Sequence, residues 1–406
     1  MSNPAIKVEL GFDTSLSGVA FTLDDATKGL LDGATYTLAG ITFYDVTQYA
    51  GQLSISRGKS RELDRYQAGH ANIVFSNLNR YFDPTFVASP FYGQIVPRRS
   101  IRISVKGIVT FLGVVDDWNL DFNTDGTSTA TVSAYDALSV LSQQNLSADS
   151  YPAELTGARV ARVLNSASVN YDLSLRKLDV GQATVQAQTV DNTISALDHL
   201  GLLEETEHGA FFIDKSGNAT FLDGAHAVGS DAVVAFSDDG LGISYQGMKV
   251  VYGSELLYNS AAITRLGGIT QTANNITSQQ TYNIRQVTLD TLHATDVDAL
   301  RLANYLVNLY ANPEFRFESV DVSMGDSTDA EQSTVLQLEI GSMCQITFTP
   351  NRIAPAIVRY AKVIGIDHNA DPNQHIVTLR FETVDYQMLI LDDPVFGLLD
   401  SYYLGI

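Results

Sequence analysis

The sequence predicts a mainly β protein in which two β units bracket a smaller α+β insertion. Three observations support this fold class. Tyr and Phe together supply 37 residues whereas Pro supplies 10, a composition that favours strands. Short segments with alternating apolar and polar residues recur along both ends of the chain. Helical spacing of apolar residues is confined to a few segments, most of them in the middle.

The first β unit is predicted over 41–146, after an N-terminal arm of residues 1–40. Alternating segments mark its strands, and a hairpin joins 107–121 to 127–135. Asp125-Gly126 lies in that turn, where glycine supplies the positive φ that a tight hairpin needs. Strands this close together in sequence indicate a meander or a small barrel.

Residues 147–228 are predicted to form the α+β insertion. A helix is expected over 158–165 with Thr156 as its N-cap, and a second over 193–205. The second helix carries Ile194, Leu197 and Leu200 on one face. A hairpin with a Gly-containing turn follows at 210–222.

The second β unit is predicted over 229–386, and a C-terminal arm of residues 387–406 follows it. One helix interrupts this unit at 296–311, with Thr295 as its cap and Asn312-Pro313 as its stop. The predicted strands are 233–236, 248–252, 319–324, 335–340, 344–348, 358–365 and 375–382.

A ten-residue segment occurs once near each end of the chain. Residues 23–32 and 391–400 match at seven of ten positions, with the shared pattern LDDxxxGLLD. A segment this short buries too little surface to fold alone, so we expect both copies to dock, on this chain or on its neighbours. The alternative is a coincidental pair of acidic turns. The residues predicted to make the docking contacts are Leu23, Asp24, Asp25, Leu391, Asp392, Asp393 and Phe396.

The net charge of −21 limits the classes of partner. A chain this acidic is expected to repel nucleic acid and anionic lipid. The alternative interpretation is that the charge serves only to keep the protein soluble. No run of about 18 apolar residues is present, so no membrane insertion is expected. The N-terminus lacks a signal-peptide pattern, which predicts synthesis in a cytoplasm.

The sequence holds no convincing catalytic, metal or cofactor motif, so no enzyme and no cofactor are predicted. Residues 121–126 match the start of a calcium loop, but position twelve is Val132 where a glutamate is required. The seven histidines lack zinc spacing, and His368 and His375 are interpreted as surface or turn residues. Asp116 and Asp117 are adjacent in a strand and should point to opposite faces.

A basic segment interrupts the acidic chain between residues 57 and 106. It holds nine cations and three acids. We expect a docking face for an acidic neighbour. Scattered solvated side chains are the second interpretation, and a nucleic-acid patch is the third. The cations predicted to contact a neighbour are Arg57, Lys59, Arg61, Arg65, Arg98 and Arg99.

The chain contains the motifs SRGKSRELDRYQAG at 56–69, NLNRYFDP at 77–84, SPFYG at 89–93, IVPRR at 95–99 and the two LDDxxxGLLD segments. In combination, these motifs resemble the tail-hub, or minor tail, proteins of long-tailed bacteriophages that infect actinobacteria. The resemblance implies that the two β units, 41–146 and 229–386, are β-barrel domains like tail-tube subunits. It also implies a structural hub that joins the sixfold tube or distal ring to a threefold tip or fibre.

The resemblance further implies a homotrimer at the virion tail tip. Its expected partners are the distal tail ring, the tail tube, the tape measure protein and the central fibre or tip. DNA would pass through its channel without specific binding, and an acidic lumen would prevent phosphates from sticking. Aromatic side chains dominate such interfaces, so Tyr81, Phe82, Phe91 and Tyr92 are predicted anchors; filling the first core is their alternative role.

Three other functions stay open at this point. A distal tail ring protein would be a hexamer of related fold. A host-glycan-binding tail protein would fit acidic, Tyr-rich β domains. A tail-associated cell-wall hydrolase would need a catalytic set that the sequence does not display.

Overall fold

The computed structural model describes residues 2–13, 41–226 and 234–384. Its first β unit contains seven strands; in Gln67–Ser76 and Ser128–Tyr135 buried and partly exposed residues alternate, because one face of the strand packs on the core. The strands are β1 (Ile6–Asp13), β2 (Ile41–Asp45), β3 (Ala50–Gly58), β4 (Gln67–Ser76), β5 (Ser100–Val105), β6 (Ile108–Phe122) and β7 (Ser128–Tyr135).

The α+β unit follows and packs its own small core. Its elements are α1 (Leu138–Leu141), β8 (Ser150–Tyr151), β9 (Glu154–Leu155), α2 (Thr156–Asn165), β10 (Arg176–Leu178), β11 (Thr184–Val185), β12 (Gln188–Thr189), α3 (Ala196–Glu207), β13 (Ala210–Ile213) and β14 (Ala219–Leu222). The predicted hairpin is confirmed, with Gly217 at φ 89° in the β13–β14 turn.

Two details of the predicted helices are wrong. Thr156 lies inside α2 and is not its cap; its hydroxyl donates to Glu207 Oε2 at 2.6 Å. α3 begins after Ser195, whose side chain accepts from the Asp198 amide. Its buried face includes Ala196, Leu200 and Leu203, so the predicted face is rotated.

The second β unit is interrupted by a separate small layer of three strands and two helices. Its elements in chain order are β15 (Val234–Ser237), β16 (Gly247–Tyr252), β17 (Ser260–Arg265), β18 (Gln271–Asn274), α4 (Ile276–Tyr282), β19 (Gln286–Thr291), α5 (Asp296–Tyr310), β20 (Phe315–Ser323), α6 (Asp329–Gln337), β21 (Met343–Phe348), β22 (Ile357–Ala370) and β23 (His375–Thr383). The Thr295 cap of α5 is confirmed.

The strand predicted over 335–340 is wrong, because residues up to 337 belong to α6. Leu336, Leu338 and Ile340 alternate with polar residues, as in a strand. A capping box between Thr328 and Glu331 starts the helix instead. The layer β17–β18–β19 with α5 was not predicted as a separate unit, and it has its own apolar cluster.

One thirteen-stranded sheet contains both β units. Its main path runs β16-β20-β23-β22-β3-β4-β7-β6-β5-β1-β2, and β21 and β15 branch from β22. Two separate apolar cores lie on this sheet, one for each β unit. The predicted fold class is thus confirmed. Among the residues that the structure describes, no strand pair closes either unit into the expected barrel.

Candidate functional site

The junction of the two β units is built by the segment Arg57–Tyr66, which we call the junction segment. It leaves β3 where that strand pairs with β22, at the Gly58–Gly365 position. Gly58 has φ +98° and its α-carbon lies directly against the backbone of Ile364 and Gly365, so a side chain there would clash. The two β units therefore approach each other through backbone atoms.

Arg57 ties three units together. Its side chain is 3% exposed, and Nη1 donates to Glu339 Oε1 at 2.8 Å. The other Glu339 oxygen accepts from the Lys215 amide at 3.0 Å, in the β13–β14 turn. Lys215 Nζ then donates to the carbonyls of Leu336 and Leu338 at the end of α6. One partly buried carboxylate, Glu339, therefore links β3, the α+β unit and the second β unit.

Glu62 and Lys59 continue this buried charge network on the other side of the junction segment. Lys59 Nζ lies 3.5 Å from Glu382 on β23, which also pairs with Lys362 at 3.0 Å. Glu62 accepts from the Tyr310 hydroxyl at 2.9 Å and lies 3.6 Å from Arg316. The segment thus contacts α5, β20, β22 and β23 through side chains that are removed from water.

The two carboxyls of this network have opposite pKa shifts. Burial raises the pKa of Glu62 to about 7, with a further contribution from the Glu382 charge, and this outweighs Arg316 and Tyr310. Burial also disfavours the charged form of Glu382, but Lys362 and Lys59 more than offset it and lower its pKa to about 2. At neutral pH the cations of the network therefore stabilise the ionised form of Glu382 more than that of Glu62.

Glu62→Gln is expected to make stability less sensitive to pH. A carboxyl whose pKa rises from 4.5 to about 7 on folding stabilises the protein below pH 4.5, and that stability is lost as pH rises through 7. The variant should gain on the order of 1–3 kcal/mol relative to the wild type between pH 4.5 and 8. Urea unfolding at pH 5 and pH 8 measures the difference.

Glu382→Gln is the matched control, because its sign is reversed. The lowered pKa of Glu382 gives stability above pH 4.5 that is lost as pH falls towards 2. This variant should therefore be less stable than the wild type at pH 7. If Glu62→Gln changed the free energy of unfolding equally at pH 5 and pH 8, this would contradict the assignment of a raised pKa to Glu62.

Most cations of the basic segment form ion pairs within the chain. Arg57 and Lys59 are buried. Arg61 and Arg65 lie nearer the surface and pair with Glu255 and Glu205, at 2.6 and 2.8 Å. Arg98 is exposed and Arg99 is half-buried. A contact of these residues with a neighbour stays a prediction, and only the exposed cations are positioned for one.

The four predicted aromatic anchors divide between core and surface. Phe82 is fully buried and stacks on Phe75, with ring centroids 4.8 Å apart. Phe91 is partly buried beside Phe82, at 5.6 Å. Tyr81 is half-buried, whereas Tyr92 is 51% exposed. Phe82 and Phe91 therefore fill the first core, which was their alternative role, and Tyr92 is available to a partner.

His368 and His375 are buried, which corrects their interpretation as surface or turn residues. They face each other between β22 and β23, with Nδ1 of His368 3.1 Å from Nε2 of His375. Burial holds the pKa of His368 well below its usual range and lowers that of His375 to about 4. Both rings are therefore neutral at pH 7, and the pair is a structural contact between strands.

A cleft of about 200 Å³ lies beside the junction segment. Its lining includes Arg61, Glu255, Lys249 and Glu318. These four form two ion pairs, Arg61–Glu255 and Lys249–Glu318, so they satisfy one another. In the described part of the chain, no group of three or more His, Cys, Asp or Glu is placed to hold a metal ion.

The outward face of the large sheet is polar and continuous across the junction. One row of cross-strand neighbours runs Asn369–Ser54–Asn72–Ser133–Asp117, from β22 to β6. The next row contains Asp321, Thr378, Asp367, Ser56 and His70. The opposite face carries Ile55, Ala71 and Ala134 in the first core. Arg380 lies on the polar face and is neutralised by Asp367.

A bulge in β6 changes the prediction for Asp116 and Asp117. The register with β7 shifts between Val115 and Asp117. Both aspartates are exposed, so strict alternation does not separate them.

Among the described helices, none has the length and apolar character required to cross a bilayer. Both LDDxxxGLLD copies lie outside the described residues.

No protein-family model matches the sequence, and no curated protein matches it. Two solved structures are similar over nearly their whole length. The 43 kDa tail protein of prophage MuSo2 from Shewanella oneidensis is 12% identical with a TM-score of 0.60, covering 94% of this chain and 97% of that one. The tail protein from Neisseria meningitidis MC58 is 9% identical with a TM-score of 0.62 at the same coverages. The chain therefore has the fold of phage tail proteins.

Proposed function

We propose that this chain is a structural component of a bacteriophage tail and performs no catalysis. The observation that carries the proposal is the fold similarity to two tail proteins, one of them from prophage MuSo2, which covers 94% of this chain and 97% of each of them. The junction segment supports a mechanical role, because its buried cations Arg57 and Lys59 form ion pairs that hold the units in one arrangement.

Within the tail, we propose the hub position, with three chains around the axis. Each chain supplies two β cores on one continuous sheet, so three chains would supply six such cores to a sixfold tube. Native mass spectrometry of the full chain tests this. A trimer of about 132 kDa, three times 44.1 kDa, is expected. A hexamer would favour the distal tail ring instead, and a concentration-independent monomer would contradict the homotrimer.

We propose that the polar sheet face lines the DNA channel. Its rows of Ser, Asn and Asp present small side chains, and Arg380 on it is already neutralised. Phosphates are attracted by clustered free cations, so such a wall lets DNA slide past. The tape measure protein would occupy the same channel before ejection, and the distal ring and central fibre or tip would contact its two ends.

Placing lysines on this face should make the channel adhere to DNA. We expect phage that carry Ser54→Lys, Asn72→Lys and Ser133→Lys to eject DNA several-fold more slowly at low salt, with recovery as the salt concentration rises. The matched control carries three lysines at exposed positions away from this face, Ser142, Thr277 and Asn304. Ejection from virions, followed by a DNA-binding dye, measures the effect. Equal ejection by both variants would contradict the face assignment.

A further inference from the structure

Exposed cations without a carboxylate partner are rare on this molecule. Most exposed cations of the described residues are held in ion pairs, as in Arg162–Glu154 and Arg301–Asp298. Three form no ion pair among the described side chains, namely Arg98, Arg352 and Arg359. Because the chain has a net charge of −21, these three arginines are the positions at which an additional acidic group would gain most favourable electrostatic energy.

Arg352 lies in the connection between β21 and β22, and Arg359 lies near the start of β22, opposite Ile346; each has an exposed apolar residue as its chain neighbour. Ile353 is 70% exposed and Val358 is 43% exposed. Arg359 donates only to the carbonyl of Val358. The nearest turn is held by Asp238, whose carboxylate accepts from the Thr349 amide and faces Thr349 Oγ1. This end of the β21–β22 hairpin, which we call the tip, therefore combines free positive charge with exposed apolar surface.

The chain leaves the second β unit beside this tip. Thr383 pairs with Ala361, and the Val384 amide donates to the Tyr360 carbonyl. Continuation along β22 in this register would carry the chain past Arg359 towards Arg352. Leu391 lies seven positions after Val384 in the sequence, and extended chain spans about 23 Å over that length. The C-terminal LDDxxxGLLD copy can therefore reach the tip without any other rearrangement.

Arg98 has the same relation to the N-terminal copy. It precedes β5, and Gly11 of β1 pairs with Ser100 of β5. The antiparallel register therefore brings the end of β1 to the level of Arg98. Residues 14–40, which contain the copy at 23–32, leave from that end. Tyr92 and Val96 supply exposed apolar surface in the segment that leads to Arg98.

We propose that each LDDxxxGLLD copy docks in its own chain, on the arginine surface beside which it leaves the fold. Residues 391–400 would bind the β21–β22 tip, with Asp392 and Asp393 facing Arg352 and Arg359. Residues 23–32 would bind at Arg98, with Asp24 and Asp25 as the acidic pair. The leucines of each copy would cover the exposed apolar side chains, which joins charge complementarity to apolar burial. This inference does not depend on the proposed tail function.

Hydrogen exchange of the full chain tests the two sites against each other. Arg352→Glu with Arg359→Glu should speed amide exchange in residues 391–400 about tenfold and leave residues 23–32 unchanged. Arg98→Glu should have the reverse effect. Adding Asp392→Lys and Asp393→Lys to the first variant should restore slow exchange in 391–400. The proposal is overturned if wild-type copies exchange as free peptides, or if both segments respond to either variant.

A cross-link in the wild-type background gives an independent measurement. Cysteines at Ile353 and Val395 should join through a short bismaleimide, while buried Cys344 stays unreactive. An internal cross-link keeps the mass of one chain, 44.1 kDa. A product of twice that mass would show docking between chains, and an absent cross-link would show no docking. Either of these results overturns the proposal.

Discussion

Arg57→Ala is expected to destabilise the protein by about 2–3 kcal/mol, because it removes a buried guanidinium and leaves the Glu339 carboxylate, whose side chain is 23% exposed, without its cation. Glu339 would keep only the backbone amides of Lys215 and Ile340 as partners on its two oxygens. The loss would be felt in three units at once, since the same carboxylate links β3, the α+β unit and the end of α6. Urea unfolding at pH 7 measures the change.

Arg61→Ala is the matched control from the same segment. Arg61 pairs with Glu255 at 2.6 Å, but both side chains are more than half exposed, so water screens the pair. Its replacement should cost less than about 1 kcal/mol. Similar losses for the two variants would contradict the assignment of Arg57 as the residue that locks the junction.

Phe82→Ala is expected to cost about 3–5 kcal/mol through the cavity that it leaves in the first core. The ring is fully buried and lies against Phe75, Phe91 and Trp118. Tyr92→Ala, ten residues away on the surface, should change stability by less than about 0.5 kcal/mol. Thermal and urea unfolding of both variants measure the contrast. A small effect of Phe82→Ala would mean that the ring is not part of the core.

Local patterns predicted most of the β structure, because each strand shows its buried face within a few residues. β4 and β7 alternate strictly, and β21 and β23 do so in large part. The pairing of β3 with β22 was not predicted. It joins segments about 310 residues apart, and nothing in either strand specifies the other.

The basic segment shows what composition alone leaves out. Nine cations between residues 57 and 106 indicated a docking face, but six of them pair with acids that lie outside the segment. Glu339, the partner of Arg57, is 282 residues away. A count of charges within one stretch of sequence does not detect pairs between residues that are far apart in the chain. Burial of Phe82 was equally open from sequence, since an aromatic residue suits both a core and an interface.

For α6, the sequence contains a helix-capping signal that the prediction of a strand over 335–340 did not use. Alternation in 335–340 favours a strand, whereas Thr328 and Glu331 form a capping box that starts a helix. The helix ends at Gln337, so the alternation covers the end of α6 and the turn before β21. The capping signal carried the correct information because it depends on local hydrogen bonds, which form wherever the helix packs.

Electron cryomicroscopy of an assembled tail tests the central proposal most directly. The account predicts three copies of this chain around the tail axis, with the row from Asn369 to Asp117 facing the lumen and both apolar cores away from it. Absence of the chain from the virion would contradict the proposed function. A tail in which this polar face is turned outwards would contradict the channel assignment.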